Sequence, residues 1–516
     1  MLHPTMLERS SRWLVVGAFA CASIACACQA TRDQQPIEPD DVDNDGVPSA
    51  PDDPSMLDMP SDHAAGAGGS AGASVENDPP HVAGSGAAQP PTNDPELPMA
   101  GSGTIEPAPA SAVMWARMLD DAGSAYDVAI NSAGNIVISA FDREGIVDEN
   151  NYWFPKSLII ELDAQGEPVR QTAIERAWVQ DIELDGDDAV LMAGKAPGNS
   201  FLPNGEASGA VHTEAFVAKL RADGELAWSR RLGDDPNPLG VDQQITAVTV
   251  DGDGNVIVSG TFTGSIDFGG LVLTSTEALD LFVAKLDPAG ELLWAHRFGA
   301  AGDQYGGDVA IDDVGDIILI GLYTGDIDFG DGLLQAGPDT KVVLAKLSPE
   351  GALRFSRGYD RAGMTIVGAD GHGSLVLVES VRNPDLSFTV QLVRRDSAGD
   401  VLQSSGLGEF GAAGTSYRAG RVALAGTTDL PGHDRPNAGV FIPDRPGIVR
   451  CDETLEPTWQ LHFGDGIGHA GRAVALDADG SAVMIGEIRG DITIDGVPVT
   501  VSESQSVFIA RFAPQP

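Results

Sequence analysis

The feature that most constrains this sequence is an internal repeat, clearest in two adjacent copies in the middle of the chain. One copy reads AVTVDGDGNVIVSGTFTGSIDFGG and then DLFVAKLDPAGELLWAHRFG, and the next reads DVAIDDVGDIILIGLYTGDIDFGD and then KVVLAKLSPEGALRFSRGYD. Each copy contains four short apolar or alternating runs, separated by turns rich in Gly, Asp and Asn. This pattern predicts four antiparallel strands joined as a meander.

We name the four predicted strands a to d. In the third copy they span residues 247–250, 256–260, 281–286 and 292–298. Alternation along strand d places Trp294 and Phe298 on one face, which predicts that they pack between neighbouring sheets. Strand c carries a cation near its end in six copies, and we expect it to pair with a local carboxylate or to cover a sheet edge. These cations are Lys219, Lys285, Lys346, Arg394, Arg450 and Arg511, and Glu161 takes their place in the first copy.

The position of strand d gives the number of copies. It falls at Trp115, Arg170, Trp228, Trp294, Phe355, Gln403 and Trp459. These spacings suit one four-stranded propeller blade per copy. The last copy ends after residues 507–512 without a strand d, whereas residues 113–119 stand alone at the start. We therefore predict an all-β, seven-bladed propeller in which the N-terminal strand completes the last blade and removes two exposed edges.

The repeated motifs DxxGNVIVSGTFTG, the DFG turn, FVAKLD and LLWAHRFG resemble the seven-bladed β-propeller repeat of bacterial lipoproteins. The resemblance covers residues 108–516 and is most specific in the third and fourth copies. The resemblance implies that the protein lies in the cell envelope and interacts with a partner. It implies no catalytic motif. The tryptophan-docking repeats of quinone-dependent propeller dehydrogenases and the WD dipeptides of scaffold propellers are not found in this sequence.

The N-terminal residues 1–28 have the pattern of a secretory signal. Arg9 and Arg12 precede an apolar run over residues 13–25, which is short for a transmembrane helix and ends in small residues. Ser23, Ile24 and Ala25 before Cys26 resemble a bacterial lipobox, which predicts lipidation at Cys26 or, alternatively, at Cys28. Acyl chains would anchor the protein in a membrane, most consistently the outer membrane of the envelope. Ordinary cleavage at Ala25-Cys26-Ala27 is the alternative.

Residues 29–107 are rich in Pro, Gly, Ala, Ser and Asp and show no hydrophobic periodicity, so we expect an extended, disordered acidic tether. Asp41, Asp43, Asp45 and Asp52 stand at positions 1, 3, 5 and 12 of a calcium-loop pattern, with Gly46 at position 6. The segment also resembles the calcium repeats of thrombospondin type 3, from which Pro48 departs. Two interpretations stay open: a calcium site, with calcium as the one cofactor suggested, or a simple acidic linker.

Charge and cysteine content limit the classes of function. The formal charge of −45, from 76 acidic and 31 basic residues, argues against a nucleic-acid partner, since phosphate binding requires clustered Lys and Arg. Three of the four cysteines lie in the first 28 residues, which excludes a disulfide framework. Cys451 occupies a repeat position held elsewhere by Leu286, Leu347 or Phe512, so it is predicted to be a buried structural thiol.

No catalytic constellation is found in the sequence. The spacing of His296, His462 and His469 matches no metal motif, and the first two are predicted to pack on strand d. Aspartates recur in the turns and could bind divalent cations or simply form the turns. They are Asp267, Asp328 and Asp495 in the DFG-type turns, and Asp251, Asp253, Asp312 and Asp477 in the a–b turns.

Three functions remain compatible with the sequence. The leading hypothesis is an envelope lipoprotein that presents a propeller face to a protein or glycan partner. The alternative is a propeller enzyme, a lyase or hydrolase, with its site in the central channel. The third is a purely structural protein whose channel is filled by apolar side chains. A cluster of ionisable groups with perturbed pKa values at one mouth of the channel would favour the enzyme.

Overall fold

A computed structural model describes residues 112–147, 153–154, 156–197, 213–233, 243–276, 278–361, 363–369, 373–382, 388–407, 410–428, 445–464, 469–501 and 506–514. Every regular element within these ranges is a β-strand. None of the described residues forms a helix long and apolar enough to cross a bilayer. The predicted signal peptide, the lipidation sites Cys26 and Cys28, the tether and its calcium loop lie outside the described residues.

The first half of the chain contributes β1 (Val113–Leu119), β2 (Ala122–Ile130), β3 (Ile136–Asp142), β4 (Ile146–Val147), β5 (Trp153–Phe154), β6 (Lys156–Leu162), β7 (Pro168–Glu175), β8 (Trp178–Leu184), β9 (Val190–Pro197), β10 (Thr213–Leu220), β11 (Leu226–Leu232), β12 (Gln243–Val250), β13 (Val256–Phe262), β14 (Ser265–Asp267), β15 (Val272–Thr274), β16 (Asp280–Leu286) and β17 (Leu292–Phe298).

The second half contributes β18 (Gln304–Ile311), β19 (Ile317–Asp328), β20 (Leu333–Leu347), β21 (Leu353–Tyr359), β22 (Gly363–Ala369), β23 (Leu375–Arg382), β24 (Phe388–Arg395), β25 (Val401–Gly406), β26 (Phe410–Arg418), β27 (Arg421–Thr428), β28 (Arg445–Cys451), β29 (Pro457–His462), β30 (Ala470–Leu476), β31 (Ala482–Ile488), β32 (Ile492–Ile494), β33 (Val497–Val499) and β34 (Ser506–Phe512).

Seven four-stranded antiparallel sheets form the blades of a propeller. In order from strand a to strand d, blades 1 to 7 are β2-β3-β6-β7, β8-β9-β10-β11, β12-β13-β16-β17, β18-β19-β20-β21, β22-β23-β24-β25, β26-β27-β28-β29 and β30-β31-β34-β1. Strand a of each blade contacts strand a of the blades on either side, and β30 contacts β2, which closes the ring. The seven-bladed prediction is confirmed.

The ring closes as the phase of the repeat predicts. Strand β1 pairs antiparallel with β34, with Val113 opposite Phe512 and Leu119 opposite Val507. The amide of Ala513 donates to the carbonyl of Ala112 at 2.7 Å, which extends the ladder by one step. The first and last strands of the ring therefore belong to the same blade, and their facing edges are paired with each other.

The third copy shows how well strand boundaries follow from the pattern. Three of its strands agree with the prediction to within two residues, but strand a begins at Gln243 rather than 247. The added residues Gln243, Gln244 and Thr246 are polar, yet each is buried. Thr246 donates to the carbonyl of Gly307 in the next blade at 3.0 Å. The sequence pattern therefore did not assign these polar residues to strand a, because their hydrogen-bond partners come from another blade.

Seven apolar clusters fill the seven interfaces between neighbouring blades. The predicted packing of strand d between sheets is confirmed, since Trp294 and Phe298 both belong to the cluster between blades 3 and 4. The Trp294 indole also donates to the carbonyl of Pro349 in the c–d turn of the next blade, at 3.2 Å. Apolar burial and one directed hydrogen bond therefore fix each such blade against the next.

The same docking contact recurs at four of the other six strand d positions, including two that look degenerate in the sequence. In each case a side chain donates to a backbone carbonyl of the next c–d turn, that of the third turn residue for Gln403 and that of the second for the other three. The pairs are Trp115 to Ala164 (3.2 Å), Arg170 to Ala222 (3.0 Å), Trp228 to Pro288 (2.9 Å) and Gln403 to Thr454. Arg and Gln thus replace the indole without losing its donor role.

Gly290 in the c–d turn of blade 3 should not tolerate a side chain. Its φ is +78°, and a Cβ there would lie 2.8 Å from the Trp228 ring. Gly254 provides a matched control, because its φ is +80° but its nearest neighbour, Pro288, lies at 3.6 Å. We expect Gly254→Ala to lower the free energy of unfolding by about 1 kcal/mol through φ alone. Gly290→Ala should lower it by about 2 kcal/mol, because Trp228 must also move.

Urea denaturation of both variants measures the difference. Equal losses in the two variants would mean that the Trp228 contact with the turn does not contribute to stability.

Blade 5 departs from the repeat by burying an ion pair in place of apolar side chains. Glu379 stands on strand b where the other blades have Gly or Ala, and Arg395 stands at the end of strand c where most have Leu or Phe. Both side chains are fully buried, with Nη2 of Arg395 2.7 Å from Glu379. Arg361 lies 3.0 Å from the other carboxylate oxygen, and the Arg395 guanidinium lies 4.5 Å from the centre of the Tyr359 ring.

Candidate functional site

The central channel is the candidate site. A cavity of about 760 Å³ lies on the axis of the ring, and all seven a strands contribute residues to its wall. It extends to the face that carries the a–b turns, where Asn131, Ser132, Asp188 and Arg418 line it. The size is that of a pocket for a small polar ligand.

Six carboxyl groups from three blades line this cavity, and four of them lie on strand a: Asp127, Asp181, Glu183 and Asp308. Asp127, Asp181 and Asp308 occupy the same position of strand a in blades 1, 2 and 4, next to a break in register with strand b. Such a β-bulge changes the direction of the side chains around it. Glu183 lies two residues beyond Asp181, so alternation puts both side chains on the same side of β8.

Each of the three aspartates also joins its blade to the next one. Its Oδ2 atom accepts a hydrogen bond from a backbone amide on strand a of the following blade. These bonds run from Ile182 to Asp127 (3.4 Å), from Val248 to Asp181 (2.8 Å) and from Ile366 to Asp308 (2.9 Å). Part of the role of these side chains is therefore structural. Because a carboxylate can accept about four hydrogen bonds, this contact leaves acceptor capacity at each group.

Removal from bulk water inside the channel raises the pKa of all four carboxyl groups. The pKa of Glu183 rises to about 7, with a further contribution from the charge of Asp127. The pKa of Asp308 rises to about 6 for the same two reasons, although backbone hydrogen bonds oppose the rise. Burial and the charges of Asp127, Asp308 and Glu183 hold the pKa of Asp181 well above its usual range. Glu183 is therefore partly protonated near neutral pH.

The pKa of Asp127 is also raised by burial, and its hydrogen bond to Asp181 opposes the rise. A hydrogen bond between two carboxyl groups requires a proton on one of them, because an ionised carboxylate is only an acceptor. Asp127 and Asp181 therefore influence each other's ionisation.

The other charged groups of the cavity have partners of their own. Arg418 donates to the carbonyl of Leu476 at 3.2 Å, and Arg472 pairs with Glu487 at 2.9 Å. Asp185 pairs with Lys219 at 2.5 Å. Asp188 accepts the backbone amide and the hydroxyl of Ser132. The channel thus has acidic groups on blades 1, 2 and 4, and its two arginines lie on blades 6 and 7.

The strand c cations are not ligand groups of this channel. The prediction that they pair with local carboxylates is confirmed in four blades, where each binds the aspartate that opens the a–b turn of its own blade. The pairs are Lys219 with Asp185 (2.5 Å), Lys285 with Asp251 (2.9 Å), Lys346 with Asp312 (2.6 Å) and Arg511 with Asp477. In blade 1, Glu161 reverses the charge and pairs with Arg170 at 2.5 Å.

Aspartates in the turns act as turn formers, as the sequence allowed. Oδ1 of Asp267 accepts the amides of Gly269 and Gly270 at 2.8 and 2.9 Å, and Asp328 accepts those of Gly330 and Gly332. In the a–b turns, Asp251 and Asp312 each accept two amides of their own turn. Asp477 accepts the amide of Ala478, Asp253 follows Asp251 in its turn, and Asp495 accepts the amide of Val113. Among the described residues, no group of three or more potential ligands has the geometry of a metal site.

The histidines and Cys451 take part in packing. His296 stacks on Trp294 with ring centres 5.0 Å apart, and burial lowers its pKa. Burial and the charge of Arg445 lower the pKa of His462 to about 4. His469 is buried and accepts the amide of Arg489 at 3.0 Å. Cys451 is fully buried and burial raises its pKa, which confirms the predicted structural thiol.

The channel carboxyl groups were missed by sequence reasoning, although a signal was present. The segments YDVAI, QDIEL and GDVAI place an acid at the same phase of strand a in three copies. The copy that defined strand a has Ala247 at that position, so the recurrence was not noticed. The predicted calcium ligands Asp41, Asp43, Asp45 and Asp52 lie outside the described residues and cannot be related to the channel.

Comparison with known proteins identifies no family for this chain. No protein-family model matches the chain, and no curated protein matches it. Among solved structures, it is similar to the β-propeller domain of the Trilobed protease from Pyrococcus furiosus, with 11% identity and a TM-score of 0.42 over 74% of this chain and 99% of that chain. It is also similar to an acylaminoacyl peptidase from Pyrococcus horikoshii, with 12% identity and a TM-score of 0.41 over 77% and 54%. A gluconolactonase from Xanthomonas campestris gives 10% identity and a TM-score of 0.35 over 83% and 99%.

Proposed function

We propose that this protein is a lipid-anchored envelope protein whose propeller binds a protein or glycan partner at the mouth of its central channel. The observation that carries the proposal is the channel itself. A purely structural propeller would favour apolar side chains along its axis, because half-buried carboxyl groups there are costly. This channel, of about 760 Å³, instead places four carboxyl groups of strand a in its wall. Polar groups that converge in a cavity are the usual mark of a binding site.

The anchoring part of the proposal rests on the sequence before the propeller. If Cys26 is the lipidated residue, Cys26→Ser should move the protein from the membrane fraction to the soluble fraction, and Cys28→Ser should not. The reverse result would assign the lipid to Cys28. If the protein stays in the membrane fraction in both single variants and in the double variant, lipid anchoring through these cysteines is wrong.

The binding part can be tested by blocking the channel. Ala413 is exposed and lines the cavity, whereas Ala133 is exposed on an a–b turn outside it. We expect the full-length protein to retain selected glycans or envelope proteins on arrays, and Ala413→Trp to abolish this binding. Ala133→Trp is the matched control and should leave binding unchanged. Equal binding by all three proteins would place the contact away from the channel, and no binding by the unaltered protein would contradict the proposal.

A second candidate function, a hydrolase or lyase, is favoured by the spread of pKa values among the four carboxyl groups. A group that holds its proton near pH 7, such as Glu183, can act as a general acid, while a neighbouring ionised carboxylate acts as the base. On this hypothesis, Glu183→Gln should abolish turnover of a glycan substrate. The exposed Glu225→Gln is the matched control and should leave turnover unchanged. Turnover that survives Glu183→Gln would exclude Glu183 as the acid.

A further inference from the structure

The buried carboxyl groups of the described residues have a cation beside them. Eight Asp and Glu residues of the described chain are buried, and every one forms an ion pair with Lys or Arg. The pairs are Glu161–Arg170, Asp185–Lys219, Glu214–Arg231, Asp280–Arg297, Asp312–Lys346, Asp316–Lys346, Glu379–Arg395 and Glu487–Arg472. This is the expected arrangement, because a carboxylate removed from water is costly unless it is paired.

The four strand-a carboxyl groups of the channel are half-buried rather than buried, and they lack such a partner. Within the described residues, Asp127, Asp181, Glu183 and Asp308 form no ion pair, and apart from the bond between Asp127 and Asp181 their hydrogen-bond donors are neutral backbone amides. The two cations of the cavity, Arg418 and Arg472, interact with Leu476 and Glu487 instead. The wall of the cavity therefore has an excess of acceptors that no cation among the described residues balances.

Gln180 supplies an independent observation of the same kind. It precedes Asp181 on β8, lines the same cavity and is only 7% exposed. Its Nε2 donates to Gln244 at 3.4 Å, but its Oε1 accepts no hydrogen bond. A buried acceptor without a donor is costly, so such groups in native proteins usually have a partner. Like the carboxyl groups, this oxygen is an acceptor in the cavity wall, and it lacks a hydrogen-bond donor.

We infer that the channel binds a ligand through a primary ammonium group, which the carboxyl groups of blades 1, 2 and 4 surround. An ammonium carries three donors and a full positive charge, and acceptors that converge from three blades suit it better than the planar fork of a guanidinium. The cavity volume suits a small polar molecule or one unit of a larger one. Because the proposed partner includes glycans, the class that fits both observations is an amino sugar; this inference rests on the proposed binding function.

The test compares two sugars that differ only at the nitrogen. Glucosamine carries a primary ammonium, and N-acetylglucosamine carries a neutral amide. Calorimetric titration of the full chain at neutral pH should give glucosamine at least about tenfold tighter binding. Asp181→Asn and Glu183→Gln should each weaken glucosamine by at least about tenfold. The exposed Glu225→Gln should change it less than about twofold.

Weaker binding by these variants should not result from misfolding. Asparagine at position 181 keeps an oxygen acceptor for the amide of Val248, so thermal melting should show folded variants. Equal affinity for the two sugars, no binding of glucosamine, or unchanged affinity in both variants would overturn the inference. The proposed function is tested separately by Ala413→Trp. If that change abolishes partner binding while glucosamine fails to bind, the channel mouth is the binding site but its ligand is not an amine.

Discussion

Replacing Glu379 by alanine should lower the free energy of unfolding by about 3–5 kcal/mol, because the change leaves the fully buried guanidinium of Arg395 without its carboxylate. Arg395→Leu should cost a similar amount, since Glu379 would then keep only Arg361. Arg395 also contacts two neutral groups, the carbonyl of Gly399 at 2.9 Å and the Tyr359 ring. Neither can replace the lost charge.

The double variant is the decisive control. Glu379→Ala with Arg395→Leu reproduces the pair Ala140 and Leu162 that occupies the same two positions in blade 1. Exchange of a whole buried ion pair for apolar groups is commonly neutral or stabilising. We therefore expect the double variant to lie within about 1 kcal/mol of the unaltered protein. Urea unfolding of the four proteins gives the coupling energy, and additive losses would show that the ion pair makes no specific contribution.

The ring itself could be predicted from the sequence because each blade repeats a local pattern. Turn residues, alternation and the phase of strand d are properties of short segments, and they located Trp115 and Trp459 in the outer strands of blades 7 and 6. Closure of the ring by β1 followed from the missing strand d in the last copy and the extra strand before the first copy. The contact that makes strand d recognisable, donation to the next c–d turn, also persists where Arg170 and Gln403 replace tryptophan.

Features that depend on several blades at once could not be predicted in this way. The buried Glu379 and Arg395 look like ordinary polar substitutions in a degenerate copy, because only folding brings strands b and c of blade 5 together with Tyr359 of blade 4. The channel acids are a similar case. Asp127 and Asp308 are separated by 181 positions in the sequence, and it is the ring that makes the charge of one raise the pKa of the other.

Glu183→Gln should make the protein more stable at about pH 8 and leave its stability unchanged at about pH 4.5. The pKa of Glu183 rises from 4.5 to about 7 in the folded protein, so the folded state holds this proton more tightly than the unfolded state. The stabilising effect is complete below the unfolded value and is lost as the pH rises through 7. Glutamine cannot ionise, so it avoids that loss. A pKa change of this size corresponds to on the order of 3 kcal/mol as an upper limit, because the half-buried side chain is partly screened by water.

The comparison must be made between variant and unaltered protein at each pH. His462, whose pKa is lowered to about 4, contributes stability that is lost as the pH falls, which opposes the effect of Glu183. This contribution is common to both proteins and cancels in the difference. The neighbouring acids Asp127, Asp181 and Asp308 remain in the variant, and loss of the Glu183 charge should lower the pKa of Asp181. Urea unfolding from about pH 4.5 to about pH 8 measures the difference. A difference independent of pH, or a variant that is less stable at the higher pH, would show that Glu183 ionises as readily in the channel as in water.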